Sequence, residues 1–455
     1  MSSFTTTDPT TGQPLERFER ISRAELNEKI ERADRAARAW ASAPLEDRGE
    51  LLLRVAKALR AQRQSLAETA VREMGKPVTQ ARAEVEKCAW CCEHFAQAGP
   101  AMLADDSIQT EASRSYAAFR PLGVVLAVMP WNFPYWQVIR AAAPALMAGN
   151  AMVLKHAENT TQCGLELERL FRECGAPEGL FTALISGHDD IGATVADPRI
   201  SAVTLTGSER AGIAIATAAG AALKKCVLEL GGSDAFIVLA DADLDATAAM
   251  AVKGRFQNNG QSCIAAKRFI VENSVHDEFL TRFVAAAKAQ RMGNPMDDAT
   301  EIGPMARADL RDEMHRQVMD TAHSGAKVVL GGRAAPGNGF FYEPTIVDAV
   351  EPAMAMFDEE IFGPAAAVIV ASDADHAIDL ANLSRYGLGS SIWTRDTARA
   401  QQLAGRIEAG SVFVNGIVAS DPRLPFGGVK KSGYGRELST FGIHEFVNIQ
   451  TVWVK

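Results

Sequence analysis

Apolar residues recur near the start of the chain at Leu26, Ile30, Ala33, Ala37 and Trp40, at steps of four, three, four and three, which puts them on one face of a helix. Ser22 and Glu25 have the spacing of a capping box, so this helix is predicted to begin there. A second helical pattern covers about 46–73 and stops at Gly75-Lys76-Pro77. From about 120 the pattern changes. Short apolar runs, VVLAV, AMVLK, AVTLT and CVLEL, each lead into polar or glycine-containing turns and then alanine-rich helical stretches. Strand alternating with helix predicts a mainly parallel sheet covered on both faces, with ligands at the carboxyl ends of its strands. A second series opens near 234, with DAFIVLA, KRFIVE and AKVVLGG among its strands. A chain of 455 residues exceeds one ordinary core, so two or more domains are expected. No repeat or low-complexity linker separates them, and they are expected to pack together.

The charge balance narrows the partners. A net charge of −9 without blocks of like charge excludes a nucleic-acid footprint and a basic membrane face, leaving a small soluble substrate. The start, MSSFTTTDPTTGQPLERF, has neither a cationic segment nor an apolar one, and no apolar run reaches about 18 residues, so a cytoplasmic protein without a membrane span is expected. Seven cysteines at irregular spacing do not suit a secreted disulfide framework. Cys88, Cys91 and Cys92 in EVEKCAWCCEHF have a CxxC spacing near His94, but the surroundings are helical and no second ligand pair follows. They are read as core residues, and no metal site is expected.

Cys263 is different. In FQNNGQSCIAAKRF it follows Asn258, Asn259, Gly260, Gln261 and Ser262, a polar loop unsuited to a core strand, so its thiol is presented to something. Other loops follow strands directly. VVLAV runs into Pro130-Trp131-Asn132-Phe133-Pro134, where two prolines stop regular structure; Asn132 is either an oxyanion donor or a turn-former bonded to its own backbone. Thr206-Gly207-Ser208 opens a helix after AVTLT and offers unpaired N–H groups to a phosphate, although it is not GxGxxG. Lys155 and Glu158 in VLKHAENT suit ribose hydroxyls or form an ordinary ion pair. Glu229 ends an apolar strand before two glycines and is either a buried general base or a solvated strand end. A thiol, an oxyanion donor, a base and a phosphate turn together fit covalent acyl transfer.

PWNFP, the TGS turn, LELGG, GQSC, EEIFGP at 359–364 and PFGGVKKSGYGRE at 425–437 resemble, in that order and over almost the whole chain, the NAD(P)-dependent aldehyde dehydrogenase superfamily. The resemblance implies an α/β fold with a Rossmann-type NAD(P)-binding domain (1–103 and 122–230), an α/β catalytic domain (231–418) and a small β oligomerisation element (104–121 and 437–455). It implies Cys263 as nucleophile, Glu229 as the base for the deacylating water, and Asn132 with the Cys263 backbone N–H as the oxyanion site. Trp131, Lys155, Glu158, Thr206, Gly207, Ser208, Glu360 and Phe362 match cofactor-binding positions. NAD is expected over NADP, because a Glu158 carboxylate bonded to ribose would repel a 2′-phosphate, with NADP still usable. A homodimer or homotetramer is implied.

WNFPYWQVIR, LKHAENT and VASDPRLPFGGVKKSGYGREL are most similar to the shorter succinate-semialdehyde dehydrogenases. That resemblance implies oxidation of succinate semialdehyde to succinate, or action on another small or ω-carboxylated aldehyde. It points to Arg140 and Ser420 as contacts for the far carboxylate. Longer members have arginine six residues before the nucleophile, where this chain has Gln257; either Arg140 supplies the charge alone, another residue such as Arg423 substitutes, or the substrate differs. Three rivals are separable. Coenzyme A acceptance is opposed by Glu229, a non-catalytic binding role by the intact Cys263, Glu229 and Asn132 set, and a cofactor-free cysteine hydrolase by the lack of a partner histidine. His156 is read as structural.

Overall fold

The computed structural model describes residues 2–455. Ser22 caps the helix Arg23–Trp40 as its spacing predicts: its side chain accepts from the Glu25 amide, the Glu25 carboxylate accepts from the Ser22 amide, and Leu26, Ile30, Ala33, Ala37 and Trp40 are all buried. The pattern over 46–73 is two helices, Leu45–Ala61 and Arg63–Met74, with a corner at Gln62 where φ is −100° and ψ is 13°. No glycine or proline breaks the run. Each piece buries its own stripe, Leu51, Leu52, Val55 and Leu59 in one and Leu66, Ala67, Ala70 and Val71 in the other, so tertiary packing sets the corner. Gly75 ends the second helix at φ +80°, the left-handed conformation that favours glycine there.

The four early runs are parallel neighbours. The first sheet runs Phe181–Leu184, Ala151–His156, Val124–Met129, Ile200–Thr206, Lys225–Glu229, with the two residues Gly433–Tyr434 added antiparallel at the edge. In chain order that is third, second, first, fourth, fifth: the dinucleotide-fold order, whose direction reverses between Val124–Met129 and Ile200–Thr206. Near-continuous burial along these strands follows from cover on both faces.

A second sheet of seven strands holds Asp234–Val238 and Ala266–Glu272 at its centre. It is parallel except for the edge strand Lys327–Leu330, three of whose four residues are exposed. A third sheet pairs Val447–Val454 with Arg114–Pro121 over eight residues and adds Asp106–Ser107. Among the described residues, no helix is long and apolar enough to cross a membrane. Cys88, Cys91 and Cys92 lie in the helix Val78–Met102, buried in the core beside the first sheet.

Candidate active site

Four adjacent strands of the first sheet deliver side chains to one end. Val124–Met129 leads to Trp131 and Asn132, Ala151–His156 to Lys155 and Glu158, Ile200–Thr206 to Thr206, Gly207 and Ser208, and Lys225–Glu229 ends on Glu229 itself. The turns after Met129 and Thr206 flank the reversal of strand order, where a crevice forms by necessity. From the other sheet come Cys263, Glu360 and Phe362, and the Phe362 ring meets Trp131 edge-on with centroids 5.6 Å apart.

The loop before Cys263 is polar and yet fully buried, and its side chains do the work of regular structure. Asn258 and Asn259 sit at φ +54° and +57°, a region asparagine tolerates. The Asn258 amide donates to the Asn132 and Gln261 carbonyls, at 2.8 Å each. Asn259 donates to Gly75 and Pro304 and accepts from the Gly303 amide. Gly260 is obligatory: a Cβ there would lie 2.3 Å from the Gly363 oxygen. Below, Lys267 donates to the Ser262 carbonyl at 2.9 Å and the Cys263 carbonyl at 2.6 Å. Cys263 itself is partly exposed, at a cavity of about 730 Å³. Burial pushes its thiol up to about 12, opposed by the charges of Arg140 and Lys267.

Asn132 is oriented from both ends. Its oxygen accepts from Gln137 at 3.0 Å, and its NH₂ donates one hydrogen bond to the Gln261 carbonyl at 3.0 Å, leaving the second N–H without a partner among the described residues. The turn is also held by His156, whose ring bonds the Pro134 carbonyl at 2.9 Å and accepts from the Ala157 amide. Burial lowers the His156 pKa to about 4, so a neutral imidazole serves as a brace. Glu229 is buried and neither carboxylate oxygen has a hydrogen-bond partner. Burial, then the nearby Glu437 charge, raises its pKa well above the usual carboxylate range. A side chain at Gly427 would approach Glu229 Oε1 to 2.8 Å, so the glycine keeps that carboxylate's surroundings open.

The positions matched to a cofactor fit a dinucleotide. Ser208 caps the helix Glu209–Ala221 by accepting from the Ala211 amide, so a helix amino terminus follows directly on the carboxyl end of the strand Ile200–Thr206. Lys155 is buried at its strand end with no hydrogen-bond partner among the described residues, and burial lowers its pKa. Glu360 accepts from the Gly232 amide at 2.9 Å and lies 3.5 Å from Lys267. Thr206 accepts from Arg140 at 3.2 Å. Glu158 is not free: Arg20, from beyond the amino-terminal hairpin, donates to it at 2.6 Å.

Arg140, Gln257 and Ser420 border the same cavity as Cys263. Arg140 already has a partner, since it ion-pairs with the buried Glu437 and lies over the Phe426 ring. Arg423 is turned elsewhere, paired with Asp421 and largely exposed. Sequence reading missed Arg20, Gln137, Lys267, Glu437 and Lys87, whose ammonium donates to Ser420 at 2.8 Å. Only Lys87 left a signal: it stands three residues after Glu84 and four before Cys91, both on the buried stripe of their helix.

The aldehyde dehydrogenase family model matches residues 1–452. An Escherichia coli (strain K12) protein named succinate semialdehyde dehydrogenase (NAD(P)+) Sad is 50% identical over 98% of this chain and 96% of its own. A Mycobacterium tuberculosis (strain ATCC 25618 / H37Rv) protein named succinate-semialdehyde dehydrogenase (NADP(+)) 1 is 46% identical over 99% of each. Among solved structures, the Streptococcus pyogenes succinic semialdehyde dehydrogenase in complex with NADP+ superimposes with a TM-score of 0.97 at 38% identity over 99% of each chain. With its sheet order, its crevice and its near-complete match to the family model, the chain belongs to the aldehyde dehydrogenase family and is an NAD(P)-dependent oxidoreductase.

Proposed function

We propose that the chain oxidises succinate semialdehyde to succinate, with Cys263 as the nucleophile. The observation that carries this reading is a partly exposed thiol on a rigid polar loop, bordering a cavity that also holds Arg140, Gln257 and Ser420. The substrate named for the Escherichia coli and Mycobacterium tuberculosis relatives supports it.

In this reading the Cys263 sulfur bonds to the aldehyde carbon and the carbonyl π pair moves onto oxygen. The free N–H of the Asn132 amide and the Cys263 backbone N–H receive that oxyanion, and Gln137 keeps the amide turned towards it. The thiol must lose its proton first. A pKa near 12 makes attack depend on a base, and Glu229, made more basic by burial, suits that work. A cofactor held by the residues assigned below would supply, in its nicotinamide ring, the acceptor for the hydride that leaves the substrate carbon. Glu229 passes the thiol's proton to solvent and then takes one from the water that adds to the Cys263 thioester; the C–S bond breaks, Glu229 returns that proton to the departing thiolate, and the new acid leaves as succinate with loss of its own proton.

Trp131, Lys155, Glu158, Thr206, Gly207, Ser208, Glu360 and Phe362 are the residues we assign to holding the cofactor. Lys155 and the helix amino terminus suit the diphosphate side, and the two carboxylates suit ribose hydroxyls. An NAD preference based on Glu158 alone presumes an unpaired carboxylate. Because Arg20 pairs with it, a cation lies beside that carboxylate and would offset its repulsion of a 2′-phosphate, so we assign use of NADP+ at least as well as NAD+. The segments 1–103 with 122–230 form the cofactor domain in this reading, and 231–418 the catalytic one. We assign 104–121 and 437–455 to contact between subunits of a homodimer or homotetramer. Ile449 and Trp453 stand exposed on their sheet, and Ile108 stands exposed just past the end of its short strand. A cytoplasmic location suits seven free cysteines.

Initial rates with succinate semialdehyde and with butanal, each with NAD+ and NADP+, test the proposal. A kcat/KM at least about tenfold higher for succinate semialdehyde is expected. Equal values would remove the substrate, and tenfold selectivity for NAD+ would remove the role given to Arg20.

A further inference from the structure

Four cations border the cavity that Cys263 faces: Lys87, Arg140, Lys253 and Arg291. Three are poorly suited to hold an anion inside it. Arg140 is buried against Glu437 and also bonded to Thr206, so its charge is already compensated. Lys253 is exposed. The Arg291 side chain is 67% exposed and lies 3.6 Å from Glu301.

Lys87 is different in each respect. Its ammonium donates to Ser420 Oγ at 2.8 Å and sits 4.3 Å from the centre of the Trp136 ring, a position that withdraws it from bulk water. Its neighbouring acids are committed elsewhere. Glu84, one turn earlier, ion-pairs with Lys76 and accepts the Tyr135 and Trp136 amides at 2.8 and 2.9 Å; this fixes the start of the helix that carries Trp136. Asp421, next to Ser420, is gripped by Arg423. Among the described residues no carboxylate pairs with Lys87. Ser420, accepting from Lys87, keeps its own O–H to donate. An ammonium and a hydroxyl side by side offer one donor to each oxygen of a carboxylate, over an aromatic floor.

We propose that Lys87, with the Ser420 hydroxyl beside it, is the specificity-determining residue that binds the far carboxylate of an ω-carboxylated aldehyde. This rests on the reading that the substrate is succinate semialdehyde, and it moves the anchoring charge from Arg140 to a residue on a different helix. Burial, with the Arg140 charge second, brings the Lys87 pKa down to about 8, and the Asp421 charge opposes this from beyond ion-pair distance. Arg140 has a separate part: it holds Glu437 and lies near enough to Cys263 to favour its thiolate.

The test compares Lys87→Met with the wild-type enzyme on succinate semialdehyde and on butanal, which has the same chain length and no charge, at saturating NADP+. Lys87→Met is expected to lower kcat/KM for succinate semialdehyde by about 10- to 100-fold, mostly through KM, while butanal changes by less than about threefold. Lys87→Arg is expected to restore most of the difference. Equal losses on both aldehydes, or no loss on either, would overturn the proposal. A wild-type enzyme that did not prefer succinate semialdehyde would instead sink the substrate reading beneath it. If Lys87→Met does not fold, acylation of native Lys87 by an amine-reactive ester decides. Saturating succinate is expected to slow it at least about tenfold, and unchanged labelling would overturn the proposal.

Discussion

The helix carrying Cys88, Cys91 and Cys92 and the loop carrying Cys263 both border the same cavity, and burial raises the pKa of all four thiols. Charge does not separate them either: Lys87 and Arg140 favour the Cys91 thiolate much as Arg140 and Lys267 favour that of Cys263. What differs is backbone and access. The helical cysteines satisfy their amides within the helix and turn their sulfurs into packed side chains, with no exposed surface. Cys263 follows two left-handed asparagines and a glycine that no larger residue could replace, and its sulfur meets the cavity. The two settings therefore differ in presentation more than in acidity.

That contrast can be broken by substitution. Cys263→Ala is expected to lower kcat by on the order of 10⁴-fold or more while cofactor binding persists, as for removal of a covalent nucleophile. Retained turnover, measured by nicotinamide absorbance, would return Cys263 to the class of its helical counterparts. A pH series sharpens the same point. With a thiol near 12, alkylation of Cys263 in the cofactor-free enzyme should rise about tenfold per pH unit between 7 and 10; a plateau below pH 9 would show a thiolate already formed. Asn132→Ala is expected to cost about 10²–10³-fold in kcat with little change in Tm, so a large loss of stability without that kinetic effect would make Asn132 merely a turn-former. The smallest effect belongs to the helix. Cys92→Ser buries a hydroxyl among apolar neighbours and should cost about 1–3 kcal/mol in denaturant unfolding, with kcat unchanged.

Much of this contrast is legible in the sequence. A cysteine after Asn-Asn-Gly-Gln-Ser cannot sit in a helix or core strand, while Cys88, Cys91 and Cys92 continue a helical stripe. The ends of apolar runs and the loops after them marked Asn132, Lys155, Ser208 and Glu229, because parallel strands end where ligands bind. Pairings between distant segments were not legible. Arg140 meets Glu437 and Glu158 meets Arg20 only once the sheets have assembled, so a cation read as a free anchor is compensated and a carboxylate read as free is paired. The corner at Gln62 is likewise a product of packing, with no local residue to announce it.

The most direct measurement is acid quenching during turnover of succinate semialdehyde, followed by peptide mapping of the acylated residue by mass spectrometry. A succinyl group on the peptide containing Cys263, absent from those containing Cys88, Cys91 and Cys92 and absent when the nicotinamide is omitted, is the predicted result. Steady turnover with no acyl group on Cys263, or with the group on another cysteine, would contradict it.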